Sequence, residues 1–242
     1  VSEPLLSVEN ASVRAGRRTL VEGVTFKALA GEFTAIIGPN GAGKTSLLEA
    51  IVGVRPSEGV VRVSGQRVVR FAERARSFSY LPDQPELAAE TRVRTLIEHA
   101  RAHAAGSVDD VALRRSLAVD PLLERGAAVL SRGERQRVAL SSTLMLARPV
   151  VVLDEPFSAF DPLQLRDVHL AVRSVLSSGA AVLASIHQLG DAEKIADRIL
   201  LLAEGRALAF GSLAELRAEA GNLDASLEQV FVELLSRRAR GA

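Results

Sequence analysis

Residues 33–46 read FTAIIGPNGAGKTS. The apolar run Phe33–Ile37 predicts a buried strand. Thr45–Val52 sets Leu47, Leu48 and Ile51 on one helical face, and Gly53 closes that helix. Between them Gly38, Pro39, Asn40, Gly41, Ala42, Gly43, Lys44 and Thr45 match G-x-x-x-x-G-K-[ST] in the strand–turn–helix setting that phosphate binding needs. Glycines let successive N–H groups turn inward with no side chain in the way. Those donors and the helix N-terminus make an anion nest. Lys44 adds a point charge for the β- and γ-phosphates, and Thr45 offers a hydroxyl to Mg²⁺. The candidate nucleotide-binding stretch is therefore Gly38 to Ser46.

Further along, residues 150–155 read VVVLDE. A buried strand here delivers two carboxylates to its C-terminal edge, where ligands of parallel sheets sit. Asp154 is the candidate Mg²⁺ ligand, directly or through water. Glu155 is the candidate base for the attacking water. His187 ends another apolar strand, Ala181–Ile186, and can donate to the γ-phosphate.

These motifs lie in an alternating chain. Strands are expected at Leu5–Val8, Val24–Phe26, Val150–Leu153 and Ile199–Leu202, with a hairpin of Val60–Val63 and Val68–Val69 around Ser64-Gly65. Helices are expected at Arg92–Ala105, from Asp109 or Asp110 to Val119, and at Arg135–Ala147, Leu163–Leu176 and Ala192–Ala196. Asp120-Pro121 breaks the second of these. In the tail Leu223–Leu235, residues Leu223, Leu227, Val230, Phe231, Leu234 and Leu235 form one stripe that should dock on the body. All-apolar strands alternating with helices imply an α/β fold with a mostly parallel sheet buried on both faces.

Composition narrows the function. The 242 residues are 48% hydrophobic and 24% charged, an ordinary globular mixture. A net charge of +1 gives no basic field for nucleic acid. Cysteine is absent, which excludes a disulfide scaffold, a cysteine-ligated zinc and a cysteine nucleophile. Tryptophan is absent too and there is one tyrosine, so a base-stacking platform is not expected. The lysines are Lys27, Lys44 and Lys194. No apolar stretch reaches the ~18 residues of a membrane span. The start, VSEPLLSVEN, lacks a basic region and an apolar signal core. The expectation is a soluble chain whose membrane role comes through a partner.

Residues 130–137, LSRGERQR, followed by VVVLDEPFSAFD, resemble the signature region of ABC-type ATPases, whose usual form is LSGGQ-x-Q-R. The motifs run in family order from Gly38 to His187. The resemblance implies a P-loop NTPase fold: a mostly parallel core sheet, an N-terminal antiparallel β subdomain and an inserted helical subdomain at about 85–147. Residues 1–242 would then be a single nucleotide-binding domain with a C-terminal helix at 221–242. It implies ATP and Mg²⁺, and a site shared by two domains packed head to tail. Ser131 and Gly133 would reach the γ-phosphate across that interface. Ser158-Ala159-Phe160-Asp161 resembles the D-loop, which places Asp161 in the shared site. Tyr80–Leu87 resembles the Q-loop. Counting from Pro82 puts Asp83 in the glutamine column and Gln84 one residue later; both are candidates to touch Mg²⁺ or the attacking water, with Gln84 slightly favoured. Arg132 and Glu134 depart from the usual signature. Ala15 stands near the place of an adenine-stacking aromatic, so adenine stacking is expected to be weaker or to come from elsewhere, with Arg14 and Arg17 as candidates.

For partners, the resemblance implies a second copy of the chain or a paralogous ATPase, together with separate integral membrane transporter subunits. It also implies a peripheral place on the cytoplasmic face of the inner membrane. The tail helix and the LSRG form point to the bacterial exporter branch. The alternative is an ABC-type ATPase that gates or anchors a membrane complex without moving cargo. A small-molecule kinase would leave LSRGERQR unexplained.

Overall fold

Valine- and leucine-rich runs without polar alternation form the centre of the molecule, as burial on both faces requires. The structure is a computed structural model and describes residues 3–241. It begins with the hairpin β1 (Leu6–Ala15) and β2 (Arg18–Ala28). β3 (Phe33–Ile37), buried throughout, leads into α1 (Lys44–Val52). β4 (Glu58–Val63), β5 (Gln66–Arg67), α2 (Phe71–Ser77) and β6 (Phe78–Leu81) follow. Then come three helices: α3 (Val93–Ala102), α4 (Asp110–Ser116) and α5 (Arg132–Met145). β7 (Val150–Asp154), α6 (Pro162–Ser177), β8 (Ala181–Ser185), α7 (Leu189–Ile195) and β9 (Arg198–Ala203) alternate. Last come β10 (Arg206–Gly211), α8 (Leu213–Ala220) and α9 (Leu227–Gly241).

Two sheets result. The larger has the order β10-β9-β3-β8-β7-β6. Its β9, β3, β8, β7 and β6 pair in parallel, and β10 is an antiparallel edge. The smaller, β2-β1-β4-β5, is antiparallel throughout. The two faces of the large sheet feed two apolar clusters. One holds Leu47, Leu48 and Ile51 of α1 with Val8, Val24 and Phe26 of the antiparallel sheet. The other packs Val151, Leu153 and Val182 against α5, α6 and the helical stretch. Burial of this kind is worth ~25 cal/mol per Å² of apolar surface and is the main force joining the layers.

Apart from Val68–Val69, the expected strands and helices appear, with shifted ends. β1 and β2 are much longer than expected, because their outer halves are polar and hide the alternation. α5 starts at Arg132, three residues early, because Ser131 caps it. The second strand of the short hairpin is Gln66–Arg67, although the Val68 N–H still donates to Val61 O at 3.0 Å. α2, β6, β10 and α8 were not anticipated. In the tail, Leu227, Val230 and Leu234 are buried, but Leu223 is 70% exposed and precedes α9. The docking stripe therefore runs from Leu227 to Leu234, and Leu235 at its far end is exposed as well.

Candidate nucleotide site

Parallel pairing brings four strand ends to one edge of the large sheet. β3, β8, β7 and β6 are neighbours in that order, ~4.8 Å apart. Each ends in a residue of interest: the glycine-rich loop after β3, His187 just past β8, Asp154 and Glu155 at the end of β7, and Asp83 just past β6. A cavity of about 930 Å³ opens there, lined by Asn40 through Ser46, Asp83, Glu155 and His187 among others.

The glycine-rich loop is held by close backbone approach. Gly43 caps α1 at φ 101°, and a Cβ there would lie 2.5 Å from Leu20 O. Lys44 is buried, and its Nζ donates to Gly38 O at 2.9 Å and Pro39 O at 3.4 Å. Gly38 and Pro39 thus hold the lysine from beneath while Asn40 to Ser46 face the cavity. An ammonium has three N–H donors, so one remains for a ligand.

Asp154 is 1% exposed. Ser185, its register partner on β8, donates to Asp154 Oδ1 at 2.5 Å and accepts the Glu155 N–H at 2.8 Å. One hydroxyl therefore fixes both acidic residues. Burial is the main cause that lifts the Asp154 pKa, and hydrogen bonds from Ser185 and Thr45 oppose it. Asp154 Oδ2 is buried with no partner. An orphaned carboxylate oxygen beside the Thr45 hydroxyl fits a hydrated divalent cation. Glu155 adopts φ 48°, uncommon for a non-glycine residue, so the chain turns sharply where the strand ends. Burial raises the Glu155 pKa as well; Lys44 and then His187 pull it down.

The two Q-loop candidates are placed differently. Asp83 lines the cavity and its charge is felt by Asp154 and Glu155, while Gln84 is exposed and does not line it. β6 ends at Leu81 and the chain bends at Asp83 and Gln84, which leaves Gln84 exposed. The base-proximal wall differs as well. Arg18, Thr19 and Leu20 line the cavity; Ala15, Arg14 and Arg17 do not. Ala15 pairs with Arg18 across a tight turn, so Arg17 sits at the exposed tip.

The signature segment is a helix start. The Ser131 Oγ accepts the Glu134 N–H at 3.3 Å, and Glu134 Oε2 accepts the Ser131 N–H at 2.8 Å. Arg125 pairs with Glu134 at 2.5 Å. The bond from the Ser131 N–H is the first cause that holds the Glu134 carboxyl below its usual range. A glutamine would serve this reciprocal box as well, and the ion pair with Arg125 is what the glutamate adds. Ser131 and Gly133 do not line the cavity, whereas Arg132 does. Asp161 also stays outside it and caps α6, accepting the Leu163 and Gln164 N–H groups, both at 2.9 Å.

Glu204 and Gly205, the turn between β9 and β10, line the cavity and were not anticipated. The Gly205 N–H donates to Ala42 O at 3.0 Å, and its carbonyl accepts the Glu22 N–H at 2.8 Å. Positive φ at Glu204 (51°) and Gly205 (76°) makes the tight turn. That Glu-Gly pair was the only local signal.

The family model for ABC transporters matches residues 21–158. The hemin import ATP-binding protein HmuV of Pseudomonas aeruginosa is 36% identical over 225 residues, 88% of this chain and 88% of that protein. The daunorubicin resistance ATP-binding protein DrrA3 of Streptomyces coeruleorubidus is 33% identical over 233 residues, 91% of this chain and 72% of that protein. A solved ATP-binding subunit of an ABC transporter superposes with a TM-score of 0.86 at 30% identity, covering 96% of this chain and 99% of the other. Glycine-rich loop, buried acidic strand end and capped LSRGE helix thus stand in a chain that belongs to the ABC transporter family and is one of its ATP-binding, ATP-hydrolysing subunits.

Proposed function

We propose that this chain is the motor of a membrane transporter, in which ATP binding closes two nucleotide domains on each other and hydrolysis reopens them. The observation that supports it most is the Asp154–Ser185–Glu155 arrangement beside the glycine-rich loop. The Asn40–Ser46 N–H groups and Lys44 grip the phosphates. Thr45 and Asp154 would hold Mg²⁺, with Asp83 as an outer partner; the cation neutralises phosphate charge when bound. Glu155 accepts the proton of the attacking water. Burial raises its pKa above the ordinary carboxylate range, in the direction that strengthens a base, and Lys44 opposes that shift. His187 donates to the terminal phosphate. Ser131, Gly133 and Asp161, which do not line this chain's own cavity, are available to the site of a second copy or a paralogue.

We place the chain as a peripheral subunit on the cytoplasmic face of a membrane, beside separate membrane-spanning subunits. Among the described residues no helix is long and apolar enough to cross a membrane. Residues 1–242 are read as one nucleotide-binding domain, with α3 to α5 as the inserted helical subdomain. For direction, the docked α9 keeps export as a reading, while HmuV, the more identical relative named above, is named for import. The test is to tag Glu155→Gln, add ATP and Mg²⁺, recover it from detergent-solubilised host membranes and identify its companions by mass spectrometry. A multi-span subunit with a substrate-sized cavity supports the motor, and its relatives give the direction. A short-span scaffold or a soluble partner would turn the reading to a regulatory ATPase.

A further inference from the structure

α7 stands between the nucleotide cavity and the C-terminal helix α9. It begins two residues past His187, and its N-cap residue Gln188 gives the helix no side-chain bond. Gln188 and Asp191 line the cavity, and Asp191 is buried. Glu193 follows Asp191 by two residues, which turns it ~200° around the helix, to the opposite side of α7. There its Oε1 accepts the Leu227 N–H, the first of α9, at 2.5 Å.

α9 otherwise caps itself. Ser226 Oγ accepts the Gln229 N–H at 3.3 Å, and Gln229 Oε1 accepts the Ser226 N–H at 2.9 Å. That reciprocal cap leaves the Leu227 N–H over, and a side chain from α7 takes it. A carboxylate is the favoured group at that positive helix end. Lys194, beside Glu193, pairs instead with Asp191 at 3.6 Å. Apolar packing backs the bond: Ala192 and Ile195 of α7 and Leu227 and Val230 of α9 are buried in one cluster. α9 is in turn tied to the end of α8, where Arg237 donates to Glu219 O at 2.8 Å and Ala220 O at 2.7 Å.

The two ends of α7 are held unequally. At its last residue Arg173 of α6 donates to Ile195 O at 2.7 Å. The end beside His187 has no side-chain cap, so its place depends on what grips the body of the helix. Glu193 is the fifth residue of α7, ~6 Å along the axis from the first.

We propose that Glu193 is a positioning residue for hydrolysis. By accepting the Leu227 N–H it pins α7 to α9 and so fixes where the turn at His187 stands against the terminal phosphate. The C-terminal helix thereby serves the nucleotide site without touching it. The inference rests on the ATPase reading of the site and on the place of His187 in it.

The test is a double-mutant cycle between Glu193 and His187 in the full chain. Wild type, Glu193→Ala, His187→Ala and the double variant are compared in kcat per bound nucleotide and in Kd for ATP. Radiolabelled ATP makes the residual rates measurable. Glu193→Ala should lower kcat about tenfold, part of the ~100-fold that a 1 Å misplacement can cost. Kd should stay within about twofold, because the glycine-rich loop grips the phosphates elsewhere. In the His187→Ala background, Glu193→Ala should change kcat less than about twofold, since the group it positions is gone. Glu193→Gln keeps an oxygen in reach and should recover most of the rate. Glu193→Asp keeps the charge but withdraws the oxygen by one methylene and should not; it replaces Glu193→Ala in the cycle if that variant does not fold. A wild-type kcat in Glu193→Ala overturns the proposal. So do losses that multiply in the double variant, which make Glu193 a stabilising cap with no route to His187. If His187→Ala itself turns over at the wild-type rate, the site reading fails and this inference falls with it.

Discussion

Ser185 is the smallest group on which the acidic edge depends. Its hydroxyl is fully buried, donates to Asp154 and accepts from the Glu155 N–H. Ser185→Ala removes both bonds. The bond to the carboxylate is worth ~1.5–3 kcal/mol and the neutral one ~0.5–1.5 kcal/mol, together about 3 kcal/mol. At ~2–4 °C per kcal/mol for a chain of this size, the melting point should fall about 6–12 °C. The loss should also depend on pH. Burial holds the Asp154 pKa above the ordinary carboxylate range, and the Ser185 hydroxyl partly offsets this by stabilising the charged form. The native acid therefore binds its proton more readily than the unfolded one. Stability declines as pH climbs from ~3.9 through the raised native value. Removing the hydroxyl raises that value further and extends the decline upward. Differential scanning fluorimetry of wild type and variant at about pH 5 and about pH 7.5 reads both effects. The gap should be wider at the higher pH. A variant that melts within about 1 °C of wild type at both pH values would refute the assignment of Ser185 as the shared anchor.

Three further outcomes follow from the same geometry. Gly205→Ala puts a Cβ 2.6 Å from Leu20 O at φ 76°, so it should cost ~1–3 kcal/mol of stability and weaken ATP binding by moving the Ala42 carbonyl; fluorimetry and nucleotide titration check it. Base choice should be loose, with GTP within about tenfold of ATP in competition, because the wall of Arg18, Thr19 and Leu20 offers no aromatic face shaped to one base. The acid limb of turnover should lie above the ~4.3 of a free glutamate, since burial raises Glu155, and a pH–rate profile would locate it.

Much of this architecture can be read from local pattern. β3, β7 and β8 are unbroken apolar runs, and a strand buried on both faces shows itself that way. β6 hides because Ser79 interrupts FSYL, although that serine is buried as deeply as its neighbours. α2 has no buried residue at all and shows no apolar face. It is anchored by Arg74, which donates to Ala50 O at 3.1 Å and Ile51 O at 2.5 Å at the end of α1. That contact spans more than twenty residues, so no window of sequence contains it. α8 was legible: Ser212 and Glu215 form a reciprocal cap like that of Ser131 and Glu134.

The site divides the same way. The glycine-rich loop, Asp154, Glu155 and His187 announce themselves by residue type at fixed spacing. That Arg18 lines the cavity while Arg14 and Arg17 do not is not legible locally, because which arginine faces the cavity depends on hairpin register, and one residue of register changes the face. Asp83 against Gln84 is the same question two and three residues past the end of β6. Gly205 lies some 160 residues from Ala42, and the bond between them belongs to the tertiary fold alone.

The most direct measurement is the mass of Glu155→Gln by sedimentation with ATP, with ADP and with neither, in magnesium, alongside its hydrolysis rate. The shared-site motor predicts turnover at least ~100-fold below wild type, the scale of lost general-base help, and a dimer with ATP only. A variant that hydrolyses ATP at the wild-type rate, or stays monomeric while saturated with ATP, contradicts it.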